Sequence, residues 1–344
     1  MKMRSAFNIL SALIGVVMLI VSCHREDIPY NDIQEEGVTP ISFSAINASL
    51  DTKGEEGGSV TSPAISTFRV WASRTYGPST NLSTNNQVFG LNGTDVTYNN
   101  NVWAYSPVRY WQTGSFNFIA ASHTTATTSS YTGLLTDNVL VLNFTSPGWN
   151  LSTTPADLIL ATATATGDTQ LSNPTNVSLA FTHQLSKVKF RAKNVDSRDV
   201  SISITGISIK GNHKTATVMT YTMSSTPAVS WEYADDTSTS QNINLKLESG
   251  KEAISLSKTA YVDLTPDVLM FPETCTLEVT VDYSVTINGK SGNDSKSATI
   301  STAWSPGKIY EYQINFTSDH ITFAEPTVTD WIAGGSVTDN DIPF

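Results

Sequence analysis

The residue types from which enzymes build metal sites or nucleophilic centres are few in this sequence and widely separated. Zinc sites need two or more His or Cys ligands at short, regular spacings, and hydrolase elbows, phosphate loops and dinucleotide sites have their own signatures. None of these patterns occurs. The histidines stand singly, at His24, His123, His183, His213 and His320. The sequence therefore predicts no catalytic residues, no metal and no cofactor, and we expect that the protein is not an enzyme.

One acidic cluster and one cysteine are the remaining candidates for chemistry. Asp339 to Asp341 offers oxygen ligands, but it lacks the glycine and the distal glutamate of a calcium loop. Cys275 comes directly before a strongly alternating segment, which favours a buried structural thiol over a nucleophile. A surface hydrolase whose carboxylates converge from distant positions stays open as an alternative, although no local pattern favours it.

The charge balance bears on the kind of partner. The formal net charge is −11, with 20 Lys and Arg against 31 Asp and Glu, and the basic residues do not cluster. Nucleic-acid binding needs grouped cations that neutralise phosphates, so we exclude a nucleic-acid partner. Charged residues make up only 15% of the chain, and Ser, Thr and Asn fill the gaps between short apolar runs. This composition is typical of an exported β protein.

Residues 1–22 have the pattern of a bacterial lipoprotein signal peptide. A short basic region precedes an apolar run from Ala6 to Val21, and Ser22 comes directly before Cys23. The run is shorter than the roughly 20 residues that a membrane-spanning helix needs. We expect Cys23 to carry acyl chains that hold the mature protein on a membrane. A plain membrane anchor, or a cleaved signal with an incidental cysteine, is the alternative.

Strand patterns dominate the mature chain, and no segment has the period of a helix. Apolar and polar residues alternate from Tyr310 to Phe316 and from Leu277 to Ile287, which predicts half-buried strands. Asn288 and Gly289 then supply the residues of a tight hairpin turn. Between Val200 and Ile209 the apolar phase slips by one residue at Gly206, which predicts a β-bulge.

A first strand and an exposed loop follow the acidic tether of residues 23–37. Ile41, Phe43 and Ala45 alternate with serines, so we expect a strand from Ile41 to Asn47. The run from Asp51 to Ser59 is too polar and glycine-rich to pack, and exposed loops of this kind are where proteases cut.

An aromatic cluster follows the first strand, and it has two interpretations. Trp103, Tyr105, Tyr110 and Trp111 could form a platform on which a carbohydrate stacks, or they could fill a core. Their alternating spacing favours the core.

Length and pattern together predict two domains. The 344 residues, less a leader of roughly 22, suit about two domains of ordinary size. A strand with an apolar and a basic face begins near Lys187, so we place the boundary near Ser178. The expected fold is all-β, with sandwich domains at residues 38–178 and 179–344.

Several segments taken together resemble the fimbrillin-like proteins of the Bacteroidales. W-x-P-G-K-x-Y-x-Y lies at residues 304–312, I-x-F…V-x-x-W at 321–331 and F-x-H-x-L-S-K at 181–187. The N-terminal half adds a matching order of segments. The first strand and the loop with Thr52 and Lys53 are followed by F-x-V-x-A, then by W-x-Y-x-P-x-x-Y-W, and then by S-F-x-F-x-A. The resemblance covers nearly the whole mature chain. It implies two transthyretin-like β-sandwich domains in tandem, and a fimbrial subunit of a type V pilus or a fimbria-associated adhesin at the cell outer membrane.

The resemblance also implies a route of assembly. A lipidated precursor reaches the outer membrane, a trypsin-like protease removes the leader and the first strand, and a strand from another fimbrial subunit fills the gap. The displaced strand here would be the one that holds Ile41, Phe43 and Ala45. The cut would fall at Lys53, where family members processed by an arginine-specific protease have arginine.

The donor strand would come from the C-terminal part of the chain, either from Ile321 to Trp331 or from the tail, Ser336 to Phe344. The candidate donor residues are Ile321, Phe323, Val328, Trp331, Val337, Ile342 and Phe344. Pro326 and Pro343 count against a long uninterrupted ladder. The strand from Tyr310 to Phe316 and a second strand that begins at Ile321 are predicted to form a terminal hairpin. Alternatively, therefore, this hairpin only closes its own domain and the tail is frayed.

Two other functions without catalysis stay open. The first is a surface glycan-binding lipoprotein that uses Trp103 or Trp111. The second is an uncleaved fimbrial anchor or accessory protein. Expected partners are other fimbrial subunits, the outer membrane through the lipid, and host or bacterial surface ligands.

Overall fold

The computed structural model describes residues 39–46, 65–75, 87–100, 102–123, 131–136, 138–145, 148–151, 156–167, 176–234 and 242–331. The predicted signal peptide and tether, and the predictions for Cys23, Lys53, Val337, Ile342 and Phe344, lie outside these residues. Strands account for nearly all regular structure within them, and a single 3-10 turn at Glu248–Gly250 is the one helical element described. The predicted all-β fold is therefore confirmed. No helix among the described residues is long and apolar enough to span a membrane.

The strands follow one another along the chain. Their bounds are β1 Phe43–Ile46, β2 Thr67–Thr75, β3 Thr94–Asn99, β4 Val102–Ala104, β5 Gly114–His123, β6 Tyr131–Thr136, β7 Val139–Phe144, β8 Trp149–Asn150, β9 Leu158–Gly167, β10 Val177–Ala180, β11 Thr182–His183, β12 Ser186–Asn194, β13 Val200–Lys210, β14 Thr215–Thr222, β15 Ala228–Tyr233, β16 Ile243–Leu245, β17 Ile254–Ser255, β18 Val262–Asp263, β19 Val268–Met270, β20 Thr274–Ile287, β21 Lys290–Ala303, β22 Lys308–Phe316, β23 Ile321–Phe323 and β24 Thr327–Asp330.

A first pair of sheets encloses one apolar core. One sheet has the order β11-β9-β5-β2-β3-β4, and the other has the order β15-β14-β7-β6, with β8 also paired to β14. Trp71 and Ile119 from the first sheet share this core with Leu140, Leu142 and Met219 from the second. Apolar residues at alternate strand positions point to the same face, which is why these side chains meet.

The hairpin of β14 and β15 pairs with β7, a strand that lies far from it in sequence. Residues 218–222 of β14 pair antiparallel with residues 139–143 of β7. The sheet therefore combines strands from both sides of the boundary predicted near Ser178. The division at that residue stays a prediction, and any placement of a boundary must account for this hairpin.

A second pair of sheets encloses the other core. One sheet has the order β18-β12-β22-β23, with β19 on β12 and β24 on β22, and the other has the order β16-β13-β20-β21, with β17 on β13. The predicted alternation from Tyr310 to Phe316 is confirmed in β22, where Tyr310, Tyr312, Ile314 and Phe316 are all buried in this core. β22 pairs in parallel with β12 along its length.

Three local predictions can be checked against this second half. The register of β13 on β20 shifts between Ile204 and Gly206, so the bulge is confirmed. Asn288 and Gly289 join β20 to β21 with φ of 51° and 75°, so the hairpin turn is also confirmed. Cys275 is only half-buried, beside the Thr302 hydroxyl at 3.1 Å. Desolvation raises the pKa of its thiol, which disfavours the thiolate that a nucleophile needs.

Candidate strand-acceptor groove

The predicted first strand is present and is hydrogen-bonded along both of its edges. We use "first strand" for residues 39–46, which include β1. On one side, Ile41 N donates to Arg109 O at 2.8 Å and Trp111 N donates to Thr39 O at 3.0 Å. On the other side, β1 pairs in parallel with β10. The first strand therefore fills a space between two backbone edges.

The first strand contacts β10 from Ser42 onwards, which is about half-way along the first strand. Ser42 O accepts a hydrogen bond from Val177 N at 2.7 Å, and Phe43 then lies opposite Val177 in the ladder. Ala45, one of the residues predicted to be displaced, lies opposite Leu179. Because β1 and β10 are parallel, the chain between them must cross over from one end of the pair to the other. This connection contains most strands of the first pair of sheets.

Ile41 and Phe43 carry the apolar face of the first strand into the protein. Their exposures are 1% and 5%. The ring of Phe43 lies among four aromatic rings, those of Phe68, Phe89 and Tyr105 at 5.7 Å and that of Phe118 at 6.1 Å. Burying a phenylalanine contributes roughly 1.5–3 kcal/mol, and each well-oriented aromatic pair about 0.5–1.5 kcal/mol more.

The sheet beneath the first strand is covered on both faces. In β2, Phe68 is buried on the side of the first strand, whereas Trp71 is buried in the core shared with β7 and β14. Phe118 and Ile119 divide in the same way in β5. Consecutive apolar residues are expected in a strand that is buried on both sides. The first strand thus acts as a cover over one face of this sheet.

Tyr105 fixes the position of the first strand along the groove. Its hydroxyl donates to Ile41 O at 2.6 Å, accepts from Arg109 N at 3.3 Å and lies 3.2 Å from Arg109 O. Burial raises the pKa of Tyr105 to about 12, so the hydroxyl remains protonated and remains a donor at neutral pH. Without the first strand, the same hydroxyl has Arg109 O within reach.

Of the other cluster aromatics, Trp111 is in the core, and Trp103 and Tyr110 are half-buried. Trp111 has 0% exposure and packs edge-on against Phe116 at 5.0 Å. Trp103 is half-buried between Phe68 at 4.9 Å and Tyr98 at 5.0 Å. The interpretation of Trp111 as a carbohydrate platform is wrong, because the ring has no exposed face on which a sugar could stack.

The C-terminal segment forms the predicted hairpin on β22. β23 pairs antiparallel with residues 314–316, and β24 pairs antiparallel with residues 308–311. Ile321 is buried and Phe323 is half-buried, whereas Val328 is 49% exposed and all four residues of β24 face solvent. These candidate donor residues therefore lie at one edge of the sheet that contains β12 and β22.

Trp331 is buried at the end of this edge. Its ring stacks on His183 at 3.6 Å with 10° between the planes, and Lys187 Nζ lies 4.3 Å from the ring centroid. Its backbone N donates to Gly307 O at 2.8 Å. We call Trp331, His183, Lys187 and Asp157 the Trp331 clip. Through the hydrogen bond to Gly307, it brings together three of the segments noted in the sequence, namely F-x-H-x-L-S-K, W-x-P-G-K-x-Y-x-Y and I-x-F…V-x-x-W.

Asp157 is the member of the clip that the sequence did not indicate. It lies just before β9, and its Oδ2 is 2.5 Å from His183 Nδ1, with both side chains buried. Desolvation raises the pKa of Asp157, and the hydrogen bond from His183 opposes that rise. No local pattern could have paired an aspartate and a histidine across this distance in sequence.

The described residues contain no group of three or more His, Cys, Asp or Glu side chains that could hold a metal ion. The features that stand out are instead a strand with two paired edges, the aromatic groove beneath it and the Trp331 clip.

Comparison with known proteins adds the following. The model of the fimbrillin-like family matches residues 63–331. A fimbrial protein from Bacteroides vulgatus has a similar structure, with a TM-score of 0.58 at 17% identity over 85% of this chain and 99% of that chain. A candidate cell adhesion protein from Parabacteroides distasonis has a TM-score of 0.50 at 10% identity over 88% and 98% of the two chains. These two support the fold alone.

A further solved structure is similar only distantly. The fimbrial anchor protein Mfa2 from Porphyromonas gingivalis has a TM-score of 0.34 at 8% identity over 87% of this chain and 100% of that chain, which is too distant to carry an argument. Comparison with curated proteins gave no significant match.

Proposed function

Because the chain belongs to the fimbrillin-like family, we propose that it is a type V pilus subunit or fimbria-associated adhesin that assembles by protease-triggered strand exchange. The observation that carries this proposal is the first strand, which is bonded at both edges and buries Ile41 and Phe43 among aromatic rings. Fimbrial and adhesion roles need no catalytic site, so we propose no enzymatic activity.

The physical basis of the exchange is the cost of an empty groove. Loss of the first strand would leave Trp111 N and Val177 N without their present acceptors, and Arg109 O would lose the hydrogen bond from Ile41 N. A buried polar group without a hydrogen bond costs about 1–3 kcal/mol, and the exposed rings add an apolar penalty. A strand from another subunit removes both costs, since it restores the backbone hydrogen bonds and covers the rings.

Export and location complete the proposal. Lipidation at Cys23 would carry the precursor to the outer membrane and the cell surface, where a cut at Lys53 would release the first strand together with the lipid. Partners would then be other fimbrial subunits, and an adhesin would also meet ligands on host or bacterial surfaces.

The test is the state of the chain before and after proteolysis. We expect protein isolated from cells to begin either at acylated Cys23 or just after Lys53. Limited trypsin treatment of the purified protein should then give ladders that resist mild SDS. Lys53→Gln should abolish both the cut and the ladders, whereas Lys251→Gln, at an exposed lysine of the second half, should change neither.

Two outcomes would count against the proposal. A chain that is cut at Lys53 but remains a monomer would contradict strand exchange. A chain that remains uncut in cells and in trypsin would instead favour an uncleaved anchor or accessory protein.

A further inference from the structure

We propose that the open face of the sheet β15-β14-β7-β6 is a side-by-side contact surface for the same face of a second copy of this chain. This contact differs from strand exchange, which joins chains end to end, because it needs neither the cut at Lys53 nor a donated strand. It therefore goes beyond the proposed function and can be tested on the uncleaved protein.

The register of the four strands builds this face from three complete rows of side chains. In the middle row, Leu134 of β6 lies opposite Val141 of β7. Thr220 of β14 and Ser230 of β15 continue that row. One further row lies two residues to either side, and opposite residues in a ladder share a face. We call the resulting twelve residues the β7–β14 face: Thr132, Leu134, Thr136, Val139, Val141, Asn143, Val218, Thr220, Thr222, Ala228, Ser230 and Glu232.

The described part of the chain leaves the β7–β14 face open. None of its twelve side chains is buried, and Leu134 is 42% exposed. On the opposite side of the same strands, Leu135, Leu140 and Met219 are at most 1% exposed and lie in the core shared with β2 and β5. The sheet therefore has one face packed in the protein and one face that meets solvent.

The β7–β14 face differs in composition from the other open sheet faces of this protein. Eleven of its twelve side chains are uncharged, and Glu232 at one corner is the exception. β12, by contrast, carries Lys189 and Arg191 on its outward side, where both pair with Asp263. Threonine methyl groups add to the apolar surface of the β7–β14 face, and open faces of this kind often mark contact sites. Its apolar members are Leu134, Val139, Val141, Val218 and Ala228.

The charge of the whole chain favours a second copy as the occupant. With a net charge of −11, two copies repel each other as they approach. That repulsion is least where the β7–β14 faces meet, and a two-fold axis brings the same apolar patch to both sides of the contact. The face offers no aromatic ring on which a sugar could stack, and no Lys or Arg for a nucleic acid or an anionic lipid.

The edge beside this face favours contact through the face over pairing through the edge. β6 is the edge strand of the sheet, and two of its carbonyls already accept side-chain hydrogen bonds. Gln87 Nε2 donates to Leu135 O at 2.6 Å, and Trp71 Nε1 donates to Gly133 O at 3.3 Å. An added strand would have to displace these donors. We therefore expect two sheets packed face to face, about 10 Å apart.

The size of the face predicts a weak contact. Rows about 7 Å apart on strands about 4.8 Å apart give about 400 Å² on each copy. A total of about 800 Å² is less than stable complexes bury, so a single pair should dissociate readily. Copies joined in a polymer would make the contact many times over, and linked weak contacts reinforce one another.

The first experiment places charges at the centre of the face and measures self-association of the uncleaved protein by sedimentation velocity. Val141→Lys and Val141→Glu each bring like charges together, so each variant alone should associate at least about 30-fold more weakly than the wild type. An equal mixture of the two should recover the association, because opposite charges then meet. Thr276→Glu is the matched control, since it adds a charge at an exposed position of β20, and it should associate like the wild type.

The second experiment uses a milder change and the salt dependence. Leu134→Ser alters an exposed side chain, so the fold should persist, and loss of apolar surface in the middle row should weaken association by about tenfold. Raising the salt concentration from about 20 to about 500 mM should strengthen association of the wild type, because it screens the repulsion between acidic chains. A contact held by ion pairs would weaken instead.

Several outcomes would overturn this inference. One is a wild type that remains a monomer up to about 1 mM, where even a weak contact should be populated. Another is association of both Val141 variants at the level of the wild type, as expected if the acyl chains alone hold copies together. Variants that unfold more easily in denaturant and do not recover on mixing would show that a segment of the same chain covers the face.

The same measurements keep this inference separate from the proposed function. Pairing of the uncleaved wild type, with recovery in the mixture of Val141 variants, would support the contact whether or not trypsin produces ladders. Absence of ladders after the cut at Lys53 would count against strand exchange and leave the side-by-side contact intact. Ladders from a wild type that shows no pairing before cleavage would support strand exchange and overturn the contact.

Discussion

The first strand and the last strands of the described chain are held differently. The first strand is bonded along both edges and its apolar face fills an aromatic groove. β23 and β24 bond to β22 alone, and β24 is exposed at every residue. The buried side chains at that edge are Ile321 in β23 and Trp331 just beyond β24.

This difference indicates which segment another chain could replace. A segment that fills a groove leaves a defined receptor when it departs, with backbone groups on both sides and pockets below. An edge strand leaves only one new edge, which can remain solvated. The first strand is therefore the natural element to exchange, and the last strands are natural elements to keep.

The strongest test of this contrast compares an alanine substitution in the first strand with one in β24. Phe43→Ala in the uncleaved protein should lower the free energy of unfolding by about 3–5 kcal/mol, because it leaves a cavity among four rings. Denaturant unfolding measures the loss. Val328→Ala, at the 49% exposed position of β24, should change the value by less than about 0.5 kcal/mol. Equal losses from the two variants would remove the distinction.

The second prediction concerns the Trp331 clip. Trp331→Ala should lower the free energy of unfolding by about 3 kcal/mol, since a buried ring and its stack on His183 are lost. Amide hydrogen exchange should rise in β24 more than in β10, because the clip secures only the C-terminal edge.

Trp331→Phe keeps an aromatic ring on His183 and serves as the control, with a smaller loss expected. Faster exchange at β10 than at β24 in the alanine variant would mean that the clip supports the first strand instead, which would contradict the contrast drawn above.

Local signals were sufficient for much of the fold. The alternation in β22, the bulge at Gly206 and the turn at Asn288 and Gly289 were all predictable, because each depends on residues close in sequence. The first strand was also predictable from Ile41 and Phe43. Alternation fixes which face of a strand is buried, and a phase slip or an Asn-Gly pair marks where regular pairing changes.

Partners across the sequence were not predictable in the same way. Nothing in residues 215–233 indicates that their hairpin pairs with β7, or that the first strand lies parallel to β10. Asp157 likewise shows no sign of its pairing with His183. A period of two identifies a half-buried strand but not its neighbour, since the neighbour is chosen by packing of the whole core.

The third prediction isolates the register contact of the groove. Tyr105→Phe removes only the hydroxyl that donates to Ile41 O at 2.6 Å and leaves the ring beside Phe43. The free energy of unfolding should fall by about 0.5–1.5 kcal/mol in the uncleaved protein. Tyr261→Phe is the matched control. Its hydroxyl also donates a single hydrogen bond, to the Asn315 side chain at 2.7 Å, but it lies in the second pair of sheets and away from the groove. Trypsin should release the first strand faster from Tyr105→Phe than from Tyr261→Phe.

The smallest expected effect depends on pH and concerns the turn that precedes β23. Asp196 Oδ2 accepts hydrogen bonds from Ser318 N at 3.0 Å and from the Ser318 hydroxyl at 2.8 Å, and Arg198 holds the same carboxylate. The hydrogen bonds from Arg198 and Ser318 lower the pKa of Asp196 below its ordinary value. A lowered pKa in the folded state stabilises the protein above the unfolded-state pKa of about 3.9, and that stabilisation is lost as the pH falls through the folded-state pKa.

Asp196→Asn should therefore destabilise the protein at pH 7, and its difference from the wild type should shrink as the pH is lowered towards the acid range. Asp319→Asn is the matched control, because Asp319 pairs with the same arginine but its side chain is 73% exposed, so its effect should be near zero at both pH values. Since Asp196 holds the turn into β23 and not the groove, neither variant should alter release of the first strand. A change in that release would mean that the two ends of the described chain are energetically coupled, and the separation between an exchangeable first strand and a retained last edge would no longer hold.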